Sequence, residues 1–494
     1  MKKSIAYYTL TTFGKDLNAD FASVFKGRSC DEAEMTDANM SEVQGKLVYS
    51  CIGCGAHYDI YDFVYTCPEC RSLLKIENLN FDRYRDIPPE RWKEIFDSRK
   101  NTTLPELSGI FRFHELILPI VPLEDIIYLG EGQTPIVKAN PELSDWAGAP
   151  FLVKNDGLNP SASFKDRGMA SATSFLNHAI RARNLDDVLG ICASTGDTSA
   201  AAALYLSYLP KAKVKAVVLL PKGKVTPAQL SQPLGSGAQV IEMPGVFDDC
   251  MRVVEELAQN YHVFLLNSKN PVRILGQKSY AYEVAQQLSW DTGDLVVVVP
   301  IGNAGNITAI MEGFIDLHEL GIIRALPTIL GVQSHHADPI TRWRATGTYT
   351  PLKVSPSVAQ AAMIGDPVSF PKVKKLVENH YNDLFHVVSV TETEIMEGML
   401  TSNRHGHVVC TQGGESVAGL KKALEEGIVK KTSRFVLDST SHQLKFALFQ
   451  QMYFEDAFGP EYGIVTKDCL KSKPVSLDAS AHTIAQYLGL KKKG

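Results

Sequence analysis

The chain has 494 residues, of which 45% are hydrophobic and 21% are charged, and its formal net charge is −5. This composition is typical of a soluble globular enzyme, and the negative charge argues against a general attraction to nucleic acid. Because the N-terminus lacks the apolar core of a signal peptide and no apolar run reaches membrane-spanning length, we expect a cytoplasmic protein with neither membrane nor nucleic-acid partners.

The length predicts about three domains, and changes of pattern along the chain indicate where their boundaries lie. The predicted regions are an N-terminal extension at 1–45, a zinc-ribbon-like segment at 46–80, a partly helical linker at 81–130, a catalytic region at 131–454 and a C-terminal extension at 455–494.

Four cysteines form two CxxC pairs in the zinc-ribbon-like segment, with the spacing Cys51-x2-Cys54-x12-Cys67-x2-Cys70. Each pair can turn two sulfurs towards one metal ion, and four thiolates complete a closed tetrahedral site with a structural role. The spacing favours zinc, while a rubredoxin-like iron site and four free thiols are the alternatives. The sequence therefore indicates a structural zinc ion.

From residue 131 onward, short apolar runs alternate with longer segments that are compatible with helices, which predicts parallel βα units in an α/β fold. The predicted strands are 151–154, 188–193, 214–220, 263–266, 295–299, 328–332 and 435–437. The predicted helices are 166–181, 198–208, 227–234, 246–260, 276–288, 304–320, 415–426 and 441–454. Because ligands gather beyond the carboxyl ends of parallel strands, the loops after these strands are the candidate site.

Lys165 opens a predicted helix in the run NPSASFKDRG at 159–168. A helix N-terminus and the neighbouring Phe164 favour an unprotonated amine, which is the form that attacks an aldehyde. The position therefore suits a lysine that forms an imine with an aldehyde. For this run alone, a surface lysine near a helix start is an equally good interpretation.

A glycine-containing loop follows the predicted strand at 295–299 and opens the next helix. Its residues are Gly302, Asn303, Ala304, Gly305 and Asn306. Glycine lets the backbone approach an anion, and a helix N-terminus supplies free N–H groups and a favourable dipole. The loop predicts a phosphate site, with a tight turn as the simpler explanation; it is neither a dinucleotide fingerprint nor a P-loop.

The run STGDTS at 194–199 also follows a predicted strand and opens a helix. Its hydroxyl and N–H groups suit a bound carboxylate. A plain helix cap at Asp197 or Thr198 is the alternative, and it explains part of the run.

Two further loops place polar side chains after predicted strands. Asn267, Ser268 and Arg273 follow the strand at 263–266, and the planar guanidinium group suits a phosphate monoester. A polar surface loop is the alternative. Thr440 follows the last predicted strand, where its hydroxyl can either bond a heteroaromatic nitrogen or cap the next helix.

Together these segments resemble the threonine synthase family, in the tryptophan-synthase-β-like (fold type II) group of pyridoxal-phosphate enzymes. The matching segments, in family order, are 129–135 (LGEGQTP), 163–168 (SFKDRG), 193–198 (ASTGDT), 267–273, 276–277 (GQ), 302–306 (GNAGN) and 440–442 (TSH). The resemblance implies a fold type II architecture, with a smaller α/β domain at roughly 166–266 embedded in a larger one, and a homodimer. Some members carry a similar N-terminal cysteine pattern.

The resemblance implies that the cofactor is pyridoxal 5'-phosphate. Lys165 would hold it covalently and later move protons, and Phe164 would pack near its ring. The loop from Gly302 to Asn306 would bind the cofactor phosphate. Thr440 would meet the pyridine nitrogen, where a neutral hydroxyl disfavours a protonated ring, and Asp197 would lie near the 3-hydroxyl.

The resemblance also implies a phosphorylated amino acid as the substrate. Its carboxylate would be held by Ser194, Thr195, Gly196 and Thr198, and its phosphate by Asn267, Ser268 and Arg273. The implied lyase reaction of threonine biosynthesis converts O-phospho-L-homoserine and water to L-threonine and phosphate, by γ-elimination followed by β-addition of water.

The chain departs from the family pattern at three places that bear on the substrate. His335 and His336 occupy a loop after the strand at 328–332 where family members tend to carry small or acidic residues. Ala162 replaces a frequent glycine, and Asp197 replaces an asparagine found in some members. Cysteate synthase, which uses O-phosphoserine and sulfite, is the main alternative, followed by another pyridoxal-phosphate-dependent β-replacement or elimination lyase. A non-catalytic relative is disfavoured by the intact Lys165 and the 302–306 loop.

Overall fold

The computed structural model describes residues 45–194, 196–222, 227–245, 247–258 and 260–492. The predicted N-terminal extension, apart from its last residue, and Thr195 lie outside the described residues. Among the helices that are described, none has the length and apolar character needed to cross a membrane.

The described strands form three sheets. In chain order they are β1 (Leu47–Cys51), β2 (His57–Asp59), β3 (Leu74–Asn78), β4 (Ile136–Lys138), β5 (Leu152–Asn155), β6 (Val188–Ala193), β7 (Val214–Pro221), β8 (Gln239–Met243), β9 (Val263–Leu265), β10 (Leu295–Pro300), β11 (Thr328–Ser334), β12 (Phe385–Val390) and β13 (Arg434–Ser439).

Helices connect the strands and cover the sheets. They are α1 (Phe81–Tyr84), α2 (Pro89–Ser98), α3 (His114–Ile117), α4 (Pro141–Ala147), α5 (Lys165–Ala182), α6 (Asp197–Tyr208), α7 (Pro227–Gly235), α8 (Phe247–Ala258), α9 (Pro271–Gln287), α10 (Gly305–Glu319), α11 (Pro339–Thr346), α12 (Phe370–Leu376), α13 (Glu392–Arg404), α14 (Thr411–Glu425), α15 (Ala447–Phe454) and α16 (Ala481–Tyr487). A 3-10 segment, Gln443–Phe446, precedes α15.

Two sheets are built from parallel strands. The large sheet has the order β12-β11-β10-β13-β5-β4, in which β4 alone is antiparallel to its neighbour, and the small sheet has the order β8-β7-β6-β9. Every residue of β10 is buried, as expected for a central parallel strand with helices on both faces. The predicted α/β fold with parallel sheets is confirmed, while the predicted domain boundaries stay predictions.

The third sheet is antiparallel, with the order β2-β1-β3, and it carries the first CxxC pair at the end of β1. A short antiparallel sheet with cysteines in its turns fits the zinc-ribbon-like segment that the sequence predicts. We call the segment from 46 to 80 the ribbon.

The structure corrects the start of the helix predicted at 276–288. Helix α9 begins at Pro271, because the Asn270 side chain accepts a hydrogen bond of 2.9 Å from the Val272 N–H and a proline fits the first helical position. Arg273 therefore lies in the first turn of a helix rather than in a loop.

The helices predicted at 415–426 and 441–454 also have different starts. Helix α14 already begins at Thr411, where the Cys410 sulfur accepts a hydrogen bond of 3.3 Å from the Gly413 N–H. The helix predicted from 441 begins only at Ala447, after the 3-10 segment. The chain pattern gave no prediction for β4, β8, β12 or α13.

Candidate active site

A cavity of about 850 Å3 lies where the carboxyl ends of β6, β10 and β13 meet the start of α5. Its lining includes most of the predicted site residues, namely Phe164, Lys165, Ser194, Gly196, Asp197, Thr198, Ser268, Arg273, Gly302, Asn303, Ala304, Gly305, Asn306 and Thr440. Residues more than 270 positions apart in the chain are thus brought to one place, because parallel strands of both sheets end there.

Lys165 is the first residue of α5, and its Nζ lies 4.0 Å from the centre of the Phe164 ring. Burial lowers the pKa of Lys165 to about 7, with a further lowering by the positive charge of Arg273, while Asp197 opposes the change. A large share of the amine is therefore unprotonated near neutral pH, as a nucleophile towards an aldehyde requires.

The loop before Lys165 turns at Ala162, whose φ of 63° lies in the left-handed region. Two backbone hydrogen bonds hold this turn, from the Ala162 N–H to the Asn159 carbonyl at 2.7 Å and from the His442 N–H to the Ala162 carbonyl at 3.0 Å. Glycine adopts this conformation without strain, whereas the Cβ of an alanine makes it less favourable.

A buried ionic network lies behind this loop and joins α5 to α9. Arg167 donates to Asp156 at 2.7 and 2.8 Å and to Glu283 at 2.9 Å. Lys154 donates to the same Glu283 at 2.6 Å. Because all four side chains are almost completely buried, the network fixes the start of α5 relative to β5.

The 302–306 loop has the geometry of an anion cradle. Ala304, with φ of 61°, caps α10, whose first N–H groups have no partner within the helix. A Cβ at Gly302 would lie 2.9 Å from the Ala362 Cα, so the backbone passes too close there for any side chain. Asn306 faces the end of β13, where it donates to Asp438 at 2.7 Å. These features fit a bound phosphate.

Arg273 offers a second anion site in the same cavity. Its side chain is buried, its Nη1 donates to the Leu266 carbonyl at 3.0 Å, and its Nε has no partner among the described residues. Burial lowers the pKa of Arg273 to about 10, so the guanidinium group stays charged at neutral pH. A buried cation with a free donor calls for an anionic ligand.

Asn267 does not line the cavity with the other predicted residues. Its Oδ1 accepts from the Ala193 N–H at 2.9 Å, and its Nδ2 donates to the Ala193 carbonyl at 2.5 Å. The side chain therefore ties the end of β6 to the segment that leads into α9. This contact positions Ser268 and Arg273.

Two lining residues, Gln412 and Lys445, were not predicted as site residues. Gln412 is buried, and neither atom of its amide has a partner among the described residues. Lys445 lies 3.1 Å from Asp197, measured from Nζ to Oδ1. Both come from segments whose starts the sequence placed wrongly, so no strand-end pattern marked them.

The ribbon brings its four cysteines together. The sulfurs of Cys51, Cys54, Cys67 and Cys70 all lie within 4.8 Å of one another. This set of four thiol donors at the ends of two tight turns fits one tetrahedral metal ion.

The ribbon packs against the small sheet through an aromatic segment between its two CxxC pairs. Phe63 meets Phe264 edge to face, with ring centres 5.2 Å apart. The Tyr65 hydroxyl donates to the Val263 carbonyl at 3.2 Å and accepts from the Leu265 N–H at 2.8 Å. The ribbon therefore occupies the exposed edge of β9.

Comparison with known proteins gives sequence relatives that span most of the chain. The family described as "Pyridoxal-phosphate dependent enzyme" matches residues 127–439. A threonine synthase from Methanocaldococcus jannaschii is 39% identical over 404 residues, which cover 81% of this chain and 93% of that protein. The threonine synthase of Methanosarcina acetivorans is 36% identical over 80% of this chain and 91% of its own length.

Solved structures show the same fold. The crystal structure of threonine synthase from Escherichia coli aligns with a TM-score of 0.59 at 18% identity, over 85% of this chain and 92% of that one. A threonine deaminase from Solanum lycopersicum aligns with a TM-score of 0.54 at 20% identity, over 69% of this chain and 92% of that one. Both likenesses concern the architecture alone.

Proposed function

We propose that this chain, which belongs to the threonine synthase family of pyridoxal-phosphate-dependent enzymes, converts O-phospho-L-homoserine and water to L-threonine and phosphate. The observation that carries the proposal is Arg273, a buried cation with a free donor that shares one cavity with the low-pKa Lys165. The 302–306 loop accounts for one phosphate, that of the cofactor. Arg273 accounts for a second, that of the substrate.

Bound pyridoxal phosphate supplies an electron sink that stabilises negative charge on substrate carbons. The loop from Gly302 to Asn306 would hold its phosphate, Phe164 would pack near its ring and Thr440 would meet its ring nitrogen. The Thr440 hydroxyl already lies 3.6 Å from the Cys410 sulfur at the start of α14. A neutral partner at this nitrogen keeps the ring unprotonated.

The side chains around the substrate would bind and orient it. Ser194, Gly196 and Thr198, with Thr195, would hold its carboxylate at the N-terminus of α6, where N–H groups and the helix dipole favour an anion. Ser268 and Arg273 would hold its phosphate, which leaves as the product. Asn267 supports this pair through its contacts with Ala193.

Lys165 would carry the proton transfers. Its pKa of about 7 lets the amine take a proton from a substrate carbon and return it at neutral pH. The positive charge of Arg273 disfavours the protonated form of the Lys165 amine and favours binding of the substrate phosphate. One side chain therefore lowers the pKa of Lys165 and helps to bind the substrate.

The alternatives are not favoured by the relatives. The relatives from Methanocaldococcus jannaschii and Methanosarcina acetivorans are named threonine synthases, and their sequences match most of this chain. Cysteate synthase and other lyases would need a different substrate in the same cavity. Phosphohomoserine and phosphoserine with sulfite, offered separately to the purified enzyme, distinguish these reactions directly.

Lys165→Ala tests the proposal. We expect the variant to fold, to lose threonine formation, and to lose the cofactor band that borohydride fixes to the wild-type protein. Lys374→Ala, an exposed lysine on α12, is the control and should retain both. Retained threonine formation in Lys165→Ala would reject the assignment.

The remaining features of the proposal concern the whole protein. The four cysteines would hold a structural zinc ion, and metal analysis should find about one per chain. The cytoplasmic location stays a prediction, because a relative from Arabidopsis thaliana is named chloroplastic. The homodimer also stays a prediction. The domain boundaries, with the small sheet in the embedded domain, also stay predictions.

A further inference from the structure

An ion pair crosses the cavity between the two parallel sheets. Asp197 is the first residue of α6, which follows the small sheet, and Lys445 lies in the 3-10 segment after the large sheet. Nζ and Oδ1 are 3.1 Å apart, and the two side chains are 13% and 6% exposed. The other carboxylate oxygen accepts from the Ser441 hydroxyl at 2.8 Å. Both oxygens of Asp197 are therefore held from the large-sheet side.

The ammonium group of Lys445 has further partners in the cavity wall. Besides its ion pair with Asp197, it donates to the Ser161 carbonyl at 2.8 Å and to the Gln232 Oε1 at 2.8 Å. Lys445 therefore has one ionic partner and two hydrogen-bond acceptors. Lys445 thus joins α6, α7 and the loop before Lys165 at one point.

The position of this pair makes the charge of Asp197 relevant to cofactor binding. Under the proposed function, Asp197 would lie near the 3-hydroxyl oxygen of the cofactor ring. An aspartate adds a negative charge beside a ring oxygen that is itself electron-rich. A buried carboxylate without a cation is costly, and Lys445 is the cation in direct contact with it.

We propose that Lys445 is a positioning residue that neutralises and orients the Asp197 carboxylate, so that this chain binds its cofactor with an aspartate at position 197. The inference rests on the proposed function for the place of the ring. It makes Asp197 and Lys445 a matched pair: an aspartate at 197 requires the cation, and an asparagine does not.

A double-mutant cycle on cofactor binding tests this pairing. Lys445→Met in the wild-type background should weaken pyridoxal-phosphate binding at least about tenfold and shift the visible absorption of the bound cofactor, because it leaves a buried charge uncompensated. Asp197→Asn combined with Lys445→Met should bind within about threefold of Asp197→Asn alone. Lys445→Arg, which keeps the charge, should retain most of the affinity.

The controls make each outcome decisive. Lys374→Met removes an exposed lysine from a surface pair and should change nothing. The same cycle is also measured by urea unfolding of the cofactor-free proteins. The free energies of unfolding should show the same coupling between Asp197 and Lys445, so variants that bind the cofactor weakly still give a result. The pairing would be overturned if Lys445→Met bound pyridoxal phosphate with wild-type affinity. It would also be overturned if the loss of affinity in the double variant were the product of the losses in the two single variants. Because neither readout uses a phosphorylated substrate, a lack of threonine formation would reject the proposed function separately.

Discussion

Lys165 shows how a single side chain acquires its chemistry from its surroundings. Its ordinary pKa of 10.5 falls to about 7, first through burial and then through the charge of Arg273. Only the unprotonated amine attacks an aldehyde. Since the folded pKa lies below the ordinary value, about half of the amine is unprotonated near pH 7, and the reactive fraction approaches its maximum about one pH unit higher.

We therefore expect the rate of covalent cofactor attachment to apoenzyme to increase with pH, to reach half of its maximum near pH 7 and to level off about one pH unit higher. Stopped-flow absorbance at a fixed cofactor concentration measures this rate. A rate that keeps rising about tenfold per pH unit through pH 9 would show an ordinary lysine and contradict the lowered pKa.

Arg273→Met removes the like charge next to Lys165 and the free donor in the second anion site. We expect the inflection of the attachment rate to move to higher pH, and the KM for phosphohomoserine to rise more than about tenfold. Both changes follow from one guanidinium group. A raised KM without the pH shift would mean that Arg273 binds the substrate but does not act on Lys165.

At the scale of elements, the sequence predicted the strands that lie inside the sheets. β6 and β10 are continuous runs of apolar residues, as expected for buried parallel strands, and residues of the loops after them line one cavity. β4 and β8 were missed because edge strands are short or largely exposed and carry a weak apolar signal.

The residues that were misplaced or missed share a cause. Arg273 and Gln412 stand in first turns of helices, and those turns are set by caps at Asn270 and Cys410 rather than by apolar periodicity. Lys445 reaches the site only because a 3-10 segment replaces the predicted helix start. Asp197 and Ser161, the partners of Lys445, are distant from it in the chain, so local pattern holds no information about these contacts.

The ionic network between α5 and α9 predicts a large loss of stability on neutralisation of Glu283. Burial alone would raise the pKa of Glu283, but Arg167 and Lys154 hold it well below its usual range. Glu283→Gln leaves three buried cations, Arg112, Lys154 and Arg167, without this counter-charge, and we expect it to lower the free energy of unfolding by about 3–5 kcal/mol at pH 7. Urea unfolding measures the difference.

The pH dependence supplies the check on this prediction. A carboxylate whose folded pKa is depressed stabilises the protein fully above its unfolded pKa, near 4.5, and less as the pH falls below it. The deficit of Glu283→Gln should therefore shrink in acid. Glu256→Gln, which breaks an exposed pair with Arg252, is the control and should cost less than about 0.5 kcal/mol at any pH. A pH-independent deficit in Glu283→Gln would point to packing rather than charge.

At the scale of the whole molecule, the ribbon contacts the strand that leads to Ser268 and Arg273 in the lining of the cavity. It occupies the edge of β9 through Tyr65, and the chain runs from β9 directly to Ser268 and Arg273. Tyr65 itself stands between the two CxxC pairs. The four-cysteine cluster, the edge of the small sheet and Arg273 are therefore connected through one continuous series of contacts.

Tyr65→Phe tests this series of contacts, because it removes one hydroxyl and leaves the ring. The Leu265 N–H loses its partner, and we expect the free energy of unfolding to fall by about 1–3 kcal/mol. The KM for phosphohomoserine should rise while the cofactor affinity stays close to that of the wild type, since the 302–306 loop belongs to the large sheet. Tyr208→Phe, at an exposed position, serves as the control. Removal of the metal from wild-type protein should reproduce the same rise in KM; an unchanged KM in both cases would mean that the ribbon and the substrate site are independent.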